Sequence, residues 1–259
     1  MTGRLKEPVR SVALQVTEGL VVAGARATVL VGSYATGPAE PESDLDILAV
    51  GPESYSWRLH RRSGLLISTS SKTFEGYRGA FALPEEVCAA VPGWRGPVIL
   101  HDPDGLAATL VREAEEWSWG PIERRCNAWV AEGITGYAEE VHKLVSALHT
   151  GNRSSAAIQR SLLALHLAPI LAVHRRILYG LENRLWDRVS DAMGEEWRRT
   201  QSAALGLHGE MFGETCESAL KLYGLAAVDT ASLMDSRQSE VIGDALAMAG
   251  QIRKGLYHL

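Results

Sequence analysis

Apolar residues in the first 120 positions fall into short runs that are separated by turn-forming residues. Runs rich in β-branched and apolar residues predict four strands, at 29–31, 44–50, 65–70 and 97–100. Helical spacing predicts helices at 9–25, 55–62 and 107–117, and Pro84 suits the first turn of another. Strands interleaved with helices predict an α+β domain with a mixed β-sheet.

Beyond residue 121 the apolar positions recur only with the helical period. This pattern predicts about five helices, at 122–148, 156–186, 195–207, 215–227 and 239–256, with a kink at Pro169. The Trp119-Gly120-Pro121 interruption predicts the domain boundary. We therefore expect a small α+β domain at 1–120 that is followed by an all-α helical bundle domain at 121–259.

Charge and cysteine content narrow the class of protein. The 259 residues carry a net charge of −5, so no electrostatic attraction to nucleic acid is expected. Three scattered cysteines, an odd number, favour reduced, buried thiols and a cytoplasmic location. No apolar run approaches the roughly 20 residues of a membrane helix, and the N-terminus has no signal-like core, so no membrane partner is expected.

The main chemical motif lies between the first two predicted strands. The first strand ends in Gly32-Ser33, and the second begins with Asp44-Leu45-Asp46. Residues i and i+2 of a strand point to the same face, so Asp44 and Asp46 should project together. Two adjacent carboxylates suit Mg²⁺, which also binds substrate phosphates. Glycine at position 32 lets the backbone approach a phosphate closely.

This arrangement resembles the polymerase-β-type nucleotidyltransferase superfamily, most closely its two-domain antibiotic (aminoglycoside and lincosamide) nucleotidyltransferases. The resemblance implies that Asp44 and Asp46 are catalytic residues that bind Mg²⁺. It also implies that Gly32 and Ser33 hold the β- and γ-phosphates of a nucleoside triphosphate, with ATP expected. A hydroxyl of a small-molecule acceptor would then attack the α-phosphorus, and pyrophosphate would leave.

The third predicted strand departs from this pattern. Members of the superfamily often have a third carboxylate there, whereas this chain has Ser68 at the expected position, with Glu75 seven residues further on. A serine hydroxyl carries no negative charge and does not readily accept a proton at neutral pH. Some antibiotic nucleotidyltransferases take their base from the helical domain, where Glu182 is our first candidate and Glu139 and Glu140 are its rivals.

Because the third predicted strand has no carboxylate, functions other than nucleotidyl transfer to a small molecule are also compatible with the sequence. One alternative is a degenerate nucleotidyltransferase that works in antibiotic biosynthesis as a repurposed enzyme or binding subunit. Another is an antitoxin-like transferase that modifies a partner protein. A homodimer or a partner subunit is compatible with each of these. The Glu139-x-x-His142 spacing predicts no metal site without a second such pair, and Arg61-Arg62 is interpreted as surface charge.

Overall fold

The computed structural model describes residues 7–37, 39–40, 42–52 and 55–252. The chain forms two compact units. Unit 1 contains Met1–Trp119 together with Leu178–Glu182, and unit 2 contains Gly120–Ile177 and Asn183–Leu259. A small mixed-sheet domain is therefore followed by a largely helical region, which confirms the predicted fold class.

Unit 1 is built on a mixed five-stranded sheet. Its strands are β1 (Ala27–Val31), β2 (Leu45–Val50), β3 (Tyr55–Arg62), β4 (Leu65–Lys72) and β5 (Val98–His101). They lie in the order β3-β4-β2-β1-β5, with β2 and β4 parallel and the other neighbours antiparallel. The parallel pair matters for function because it aligns the start of β2 with the start of β4.

Among the described residues of unit 1, five helices accompany the sheet. They are α1 (Val9–Val22), α2 (Gly32–Thr36), α3 (Phe74–Ala80), α4 (Pro84–Arg95) and α5 (Leu106–Glu116). Alternate sheet residues, Leu30, Leu45, Ile47 and Ile67, are fully buried in one cluster with Val12 of α1. Burial of such side chains contributes roughly 1.5–3 kcal/mol each, so this face holds the sheet and α1 together.

The prediction of a helix at 55–62 is wrong, because this segment is strand β3. It pairs with β4 through a two-residue turn at Ser63 and Gly64, which both have positive φ (50° and 83°). Such turns match the twist of antiparallel strands. The alternation of Tyr55, Trp57 and Leu59 with polar residues carried the strand signal.

Unit 2 is helical in its described part. Its helices are α6 (Glu123–His149), α7 (Arg153–His174), α8 (Leu185–Met193), α9 (Glu195–Leu205), α10 (Phe212–Thr230) and α11 (Ser236–Ile252). Residues 253–256 of the last predicted helix lie outside the described residues. Cys126 and Cys216 of this unit, like Cys88 of unit 1, are buried and form no disulfide bond among the described residues.

The single predicted helix at 156–186 is wrong in its second half. Helix α7 ends at His174, where Arg176 adopts a left-handed conformation (φ 58°) and its N–H bonds the Val173 carbonyl. The Ile177 N–H bonds the Ala172 carbonyl, which completes a Schellman C-cap. The chain then leaves unit 2 for residues 178–182, so Glu182 does not close a long helix.

Helix α7 also corrects an expectation about membranes. Among the described residues it is one helix that is long and apolar enough to cross a bilayer, with a mean hydropathy of 1.5 over its best window. This differs from our reading of the sequence, which found no such segment. Half of that window is buried inside the protein, which is equally typical of a core helix in a globular domain.

Candidate active site

Three neighbouring strands bring the predicted motif residues into one row. Val31, the last residue of β1, pairs with Asp46 of β2, and Asp46 pairs with Ser68 of β4. Directly paired residues share a face of the sheet. Val31, Asp46 and Ser68 therefore lie in one row, and Gly32 follows Val31 at the end of that row.

The backbone at Gly32 fits closely against Asp46. Gly32 has a φ of 71°, and a Cβ built on it would clash with Asp46 Oδ2 and lie 3.3 Å from Asp46 Cγ. Helix α2 begins here and is closed by the Gly37 N–H, which bonds the Ser33 carbonyl at 2.6 Å. Glycine is therefore required both by the positive φ and by the close approach of the carboxylate.

The two carboxylates influence each other. Burial, with a further contribution from the charge of Asp44, raises the pKa of Asp46 to about 6, while a hydrogen bond from Ser68 opposes the shift. Both residues are partly buried. Ser68 thus supports the ionised form of Asp46 as a hydrogen-bond donor, but it adds no negative charge of its own.

The carboxylates of Asp44 and Asp46 fit a divalent cation whose remaining ligands come from a bound substrate. Burial, and secondarily the charge of Asp44, raise the pKa of Asp46, and a bound divalent ion would oppose both effects by favouring the ionised carboxylate. Within the described residues, no group of three or more His, Cys, Asp or Glu side chains could hold a metal ion. Two carboxylates and phosphate oxygens from a substrate are the ligand set that Mg²⁺ commonly takes.

A cavity of about 520 Å³ opens from Asp46 along the same face of the sheet. Its walls come from β2, β4, α3, α4 and residues 179–182, all within unit 1. Its ionisable lining includes one cation and four carboxylates among the described residues: Lys72, Asp46, Glu85, Glu86 and Glu182. Lys72 Nζ lies 2.5 Å from Glu86 Oε2, so the cavity keeps an excess of negative charge.

Aromatic side chains form the apolar wall of this cavity. Tyr77 and Trp94 are almost fully buried and stack edge to face with their centroids 5.2 Å apart. Burial raises the pKa of Tyr77 to about 12, and burial, Cys88 and Glu182 raise the pKa of Tyr179 to about 12. Both phenols therefore stay protonated near neutral pH and can act only as neutral polar groups.

The segment that carries Glu182 is held against α4. The Tyr179 N–H donates to the Cys88 carbonyl at 3.0 Å, and the open side of Gly180 faces Pro92. Gly180 has a φ of 70°, which turns the chain at this point. Glu182 begins a short 3-10 turn and is exposed, so its carboxylate is available to a ligand in the cavity.

The other candidate bases lie elsewhere. Glu139 and Glu140 of α6 both pair with Lys143, at 2.9 and 3.1 Å, and neither is among the described residues that line the cavity. Glu75 is exposed on α3 and lies 3.9 Å from Arg78. Of the carboxylates proposed as a base from sequence, Glu182 is the one that shares the cavity with Asp46.

Several residues of this cavity were missed by sequence reasoning. Lys72 lies two and four residues beyond Ser70 and Ser68, so the two-residue period of β4 could have indicated its face. Glu85 and Glu86 were visible only as acidic residues in the first turn of a helix after Pro84. Nothing local in the sequence indicates that this helix lines the same cavity as Asp46.

The motif lies in a segment that is similar to a known protein family. No protein of curated function matches the chain. A solved structure described as a nucleotidyltransferase-like protein, from Exiguobacterium sibiricum 255-15, aligns over 95% of this chain and 78% of its own, with 12% identity and a TM-score of 0.48. A family model, the nucleotidyltransferase domain, matches residues 25–72. The matched segment of this chain, which is similar to that domain, contains Gly32, Ser33, Asp44, Asp46 and Ser68.

Proposed function

We propose that this protein transfers a nucleotidyl group from a nucleoside triphosphate to a hydroxyl of a small molecule, with Mg²⁺ bound by Asp44 and Asp46. The proposal depends chiefly on the close approach of the Asp46 carboxylate to the Gly32 backbone, inside the segment that matches the nucleotidyltransferase domain. ATP is the first nucleotide to test, so that AMP would be the transferred group.

In this reaction a bond forms between the acceptor oxygen and the α-phosphorus. The bond from the α-phosphorus to the bridging oxygen breaks, and pyrophosphate leaves with the electron pair. A bound Mg²⁺ would supply neutralisation of the charge that develops on the phosphate oxygens. The N–H groups of Gly32 and Ser33, at the start of α2, are the expected donors to the β- and γ-phosphates.

The acceptor proton needs a base, because Ser68 cannot carry it at neutral pH. Glu182 is our candidate, since it lines the same cavity as Asp46 and is exposed to it. A carboxylate that lies within reach of the acceptor hydroxyl can accept its proton in the transition state.

The excess of carboxylates favours an acceptor that carries amino groups. Glu85 and Glu182 have no cation beside them among the described residues, whereas Glu86 pairs with Lys72. A cavity of about 520 Å³ suits a small molecule. An aminoglycoside-like or other antibiotic-like acceptor has both the hydroxyl and the charge that this lining requires.

A second function is favoured by one observation, the pairing of Ser68 with Asp46. If nucleotidyl transfer needs an acid at this place in β4, the chain is a degenerate nucleotidyltransferase whose cavity binds a metabolite without transferring a nucleotide. Such a protein would work as a binding subunit or as an enzyme of different chemistry in antibiotic biosynthesis.

Calorimetric titration of Mg²⁺-ATP separates these functions. We expect binding by the wild type and none by the Asp44→Asn/Asp46→Asn variant, because the variant lacks both anionic ligands. An Asp187→Asn/Asp244→Asn variant changes net charge equally at two exposed positions of unit 2 and should bind normally. Pyrophosphate release is then measured with a panel of amine-bearing acceptors.

Failure to bind any nucleoside triphosphate would contradict transfer and would favour the degenerate function. Binding without pyrophosphate release from any acceptor would retain the nucleotide site and reject the proposed acceptor class. A Ser68→Asp variant then tests the missing acid directly, because gained turnover would identify position 68 as the missing part of the catalytic site.

A further inference from the structure

Strand β3 forms an edge of the sheet of unit 1, and its outer backbone groups have no strand beside them among the described residues. The strand is eight residues long and is pinned to β4 by the turn at Ser63 and Gly64. Natural sheets usually shorten, cover or twist such an edge, because a long free edge accepts another strand. We propose that this edge binds an acidic, extended segment of a partner protein by β-strand addition.

The charge of β3 determines the kind of partner. Arg58, His60, Arg61 and Arg62 are all exposed, and residues 55–62 contain no acid, in a chain whose net charge is −5. Single arginines scattered over a surface need no explanation, but three in one edge strand create a local positive field. An acidic segment is attracted to this edge, and a neutral or basic one is not.

The register of β3 also specifies the pattern of the partner. Arg58, His60 and Arg62 lie on the face covered by α1, where they pair with Thr69, Ile67 and Leu65. Leu59 and Arg61 lie on the face of Asp46, where they pair with Ser68 and Leu66. Leu59 is 43% exposed. An added strand would lie beside these residues in the same alternation, so acidic side chains should face one side and apolar side chains the other.

A second copy of this chain does not fit this edge through its own β3. Pairing two β3 strands would bring Arg58, Arg61 and Arg62 of each copy against the same residues of the other, and like charges across a strand pair are destabilising. The positive edge therefore opposes self-pairing while it leaves the backbone open to a segment of opposite charge.

The test uses the full chain and a labelled, capped peptide of alternating glutamate and valine, about ten residues long. Fluorescence anisotropy measures its affinity, and hydrogen exchange followed by NMR measures protection of the β3 amides. We expect binding together with slower exchange of the outward β3 amides. A peptide of the same composition with its glutamates and valines in separate blocks should bind at least about tenfold more weakly, because it loses the alternation.

The charge contribution is tested with an Arg58→Gln/Arg61→Gln/Arg62→Gln variant, which should bind the alternating peptide at least about tenfold more weakly. The matched control removes three exposed arginines elsewhere, in Arg112→Gln/Arg188→Gln/Arg237→Gln, and should change affinity less than about twofold. Circular dichroism checks that both variants fold.

Three results would overturn the proposal. The first is the absence of peptide binding by the wild type, or binding that leaves exchange of the β3 amides unchanged. The second is tighter binding of a thymidine oligonucleotide of similar length to the same arginines, which would make the edge a nucleic-acid surface. The third is self-association in ultracentrifugation that the triple β3 variant abolishes, which would make the partner a second copy.

Discussion

The two faces of the sheet in unit 1 differ although the same strands supply both. On one face Ile47 and Ile67 are fully buried in the cluster with α1. On the other face Asp46, Ser68 and Lys72 border a cavity or pair with residues that do. The first face contributes burial of apolar area, whereas the second holds a carboxylate whose pKa is raised by its surroundings.

Along a single strand, the residues that stabilise the fold therefore alternate with the residues that face the cavity. Adjacent positions on a strand point to opposite faces, so one step along β2 changes the role of a side chain. A partly buried carboxylate beside another carboxylate costs stability when no ligand is bound. We therefore expect substitutions on the apolar face to affect folding and those on the polar face to affect ligand binding and turnover.

The largest effect is expected at Asp46. Asp46→Asn should lower nucleotidyl transfer at least about a thousandfold, about 4 kcal/mol in activation free energy, because a metal ligand is lost. The melting temperature should not fall. Steady-state pyrophosphate release and thermal unfolding measure the two quantities. Retention of full turnover would contradict the assignment of Asp46 to the metal.

Ile47, the next residue of β2, should show the reverse pattern, which is a loss of stability without a loss of ligand binding. Ile47→Ala should lower the free energy of unfolding by about 3 kcal/mol, because it leaves a cavity in the cluster under α1. Denaturant titration measures this loss. The folded fraction should keep the affinity of the wild type for Mg²⁺-ATP. Ile158→Ala is the control, since Ile158 is 58% exposed and should cost less than about 0.5 kcal/mol.

Two glycines with similar backbone angles provide a sharper comparison. Gly32 and Gly64 both have positive φ, but a Cβ on Gly32 would clash with the Asp46 carboxylate, whereas one on Gly64 would meet nothing within 4 Å. Gly32→Ala should therefore destabilise the fold by about 2 kcal/mol more than Gly64→Ala does. It should also weaken Mg²⁺-ATP binding, which Gly64→Ala should leave unchanged in the same calorimetric titration.

Most of the fold could be predicted because its signals are local. Apolar runs ended by turn residues identified β1, β2, β4 and β5. Strand β3 was missed because its exposed edge is rich in arginine, which fits a helix equally well. The end of α7 was missed because the apolar stripe continues past Arg176, where only the backbone turns.

The candidate site also has a part that could be predicted from the sequence and a part that could not. Gly32, Asp44 and Asp46 belong to one local motif of the sequence. Strand geometry alone predicts that its two carboxylates lie together. The helix carrying Glu85 and Glu86 reaches the cavity only through tertiary packing, which no periodicity encodes. Glu182 was chosen for the polar cluster around it, yet it reaches the cavity because residues 178–182 return to unit 1.

The smallest expected effect tests whether the Asp46 carboxylate on the polar face lowers the free energy of unfolding. Since the pKa of Asp46 is raised from 3.8 to about 6, the folded protein binds more protons than the unfolded chain between these values. Wild-type stability should therefore fall as pH rises through this window. Asp46→Asn removes that loss, so above pH 7 the variant should be more stable by about 1 kcal/mol after allowance for solvent screening.

Below about pH 3 this advantage should nearly vanish, because the carboxyl of Asp46 is then neutral in the folded protein and largely neutral in the unfolded chain. Thermal unfolding across the pH range measures the difference, and Asp244→Asn, at an exposed position, should show none. Saturating Mg²⁺ should cancel the advantage by stabilising only the wild type. A variant that is less stable than the wild type above pH 7 but not at low pH would instead mean that the fold stabilises the Asp46 carboxylate, which would remove the contrast between the two faces.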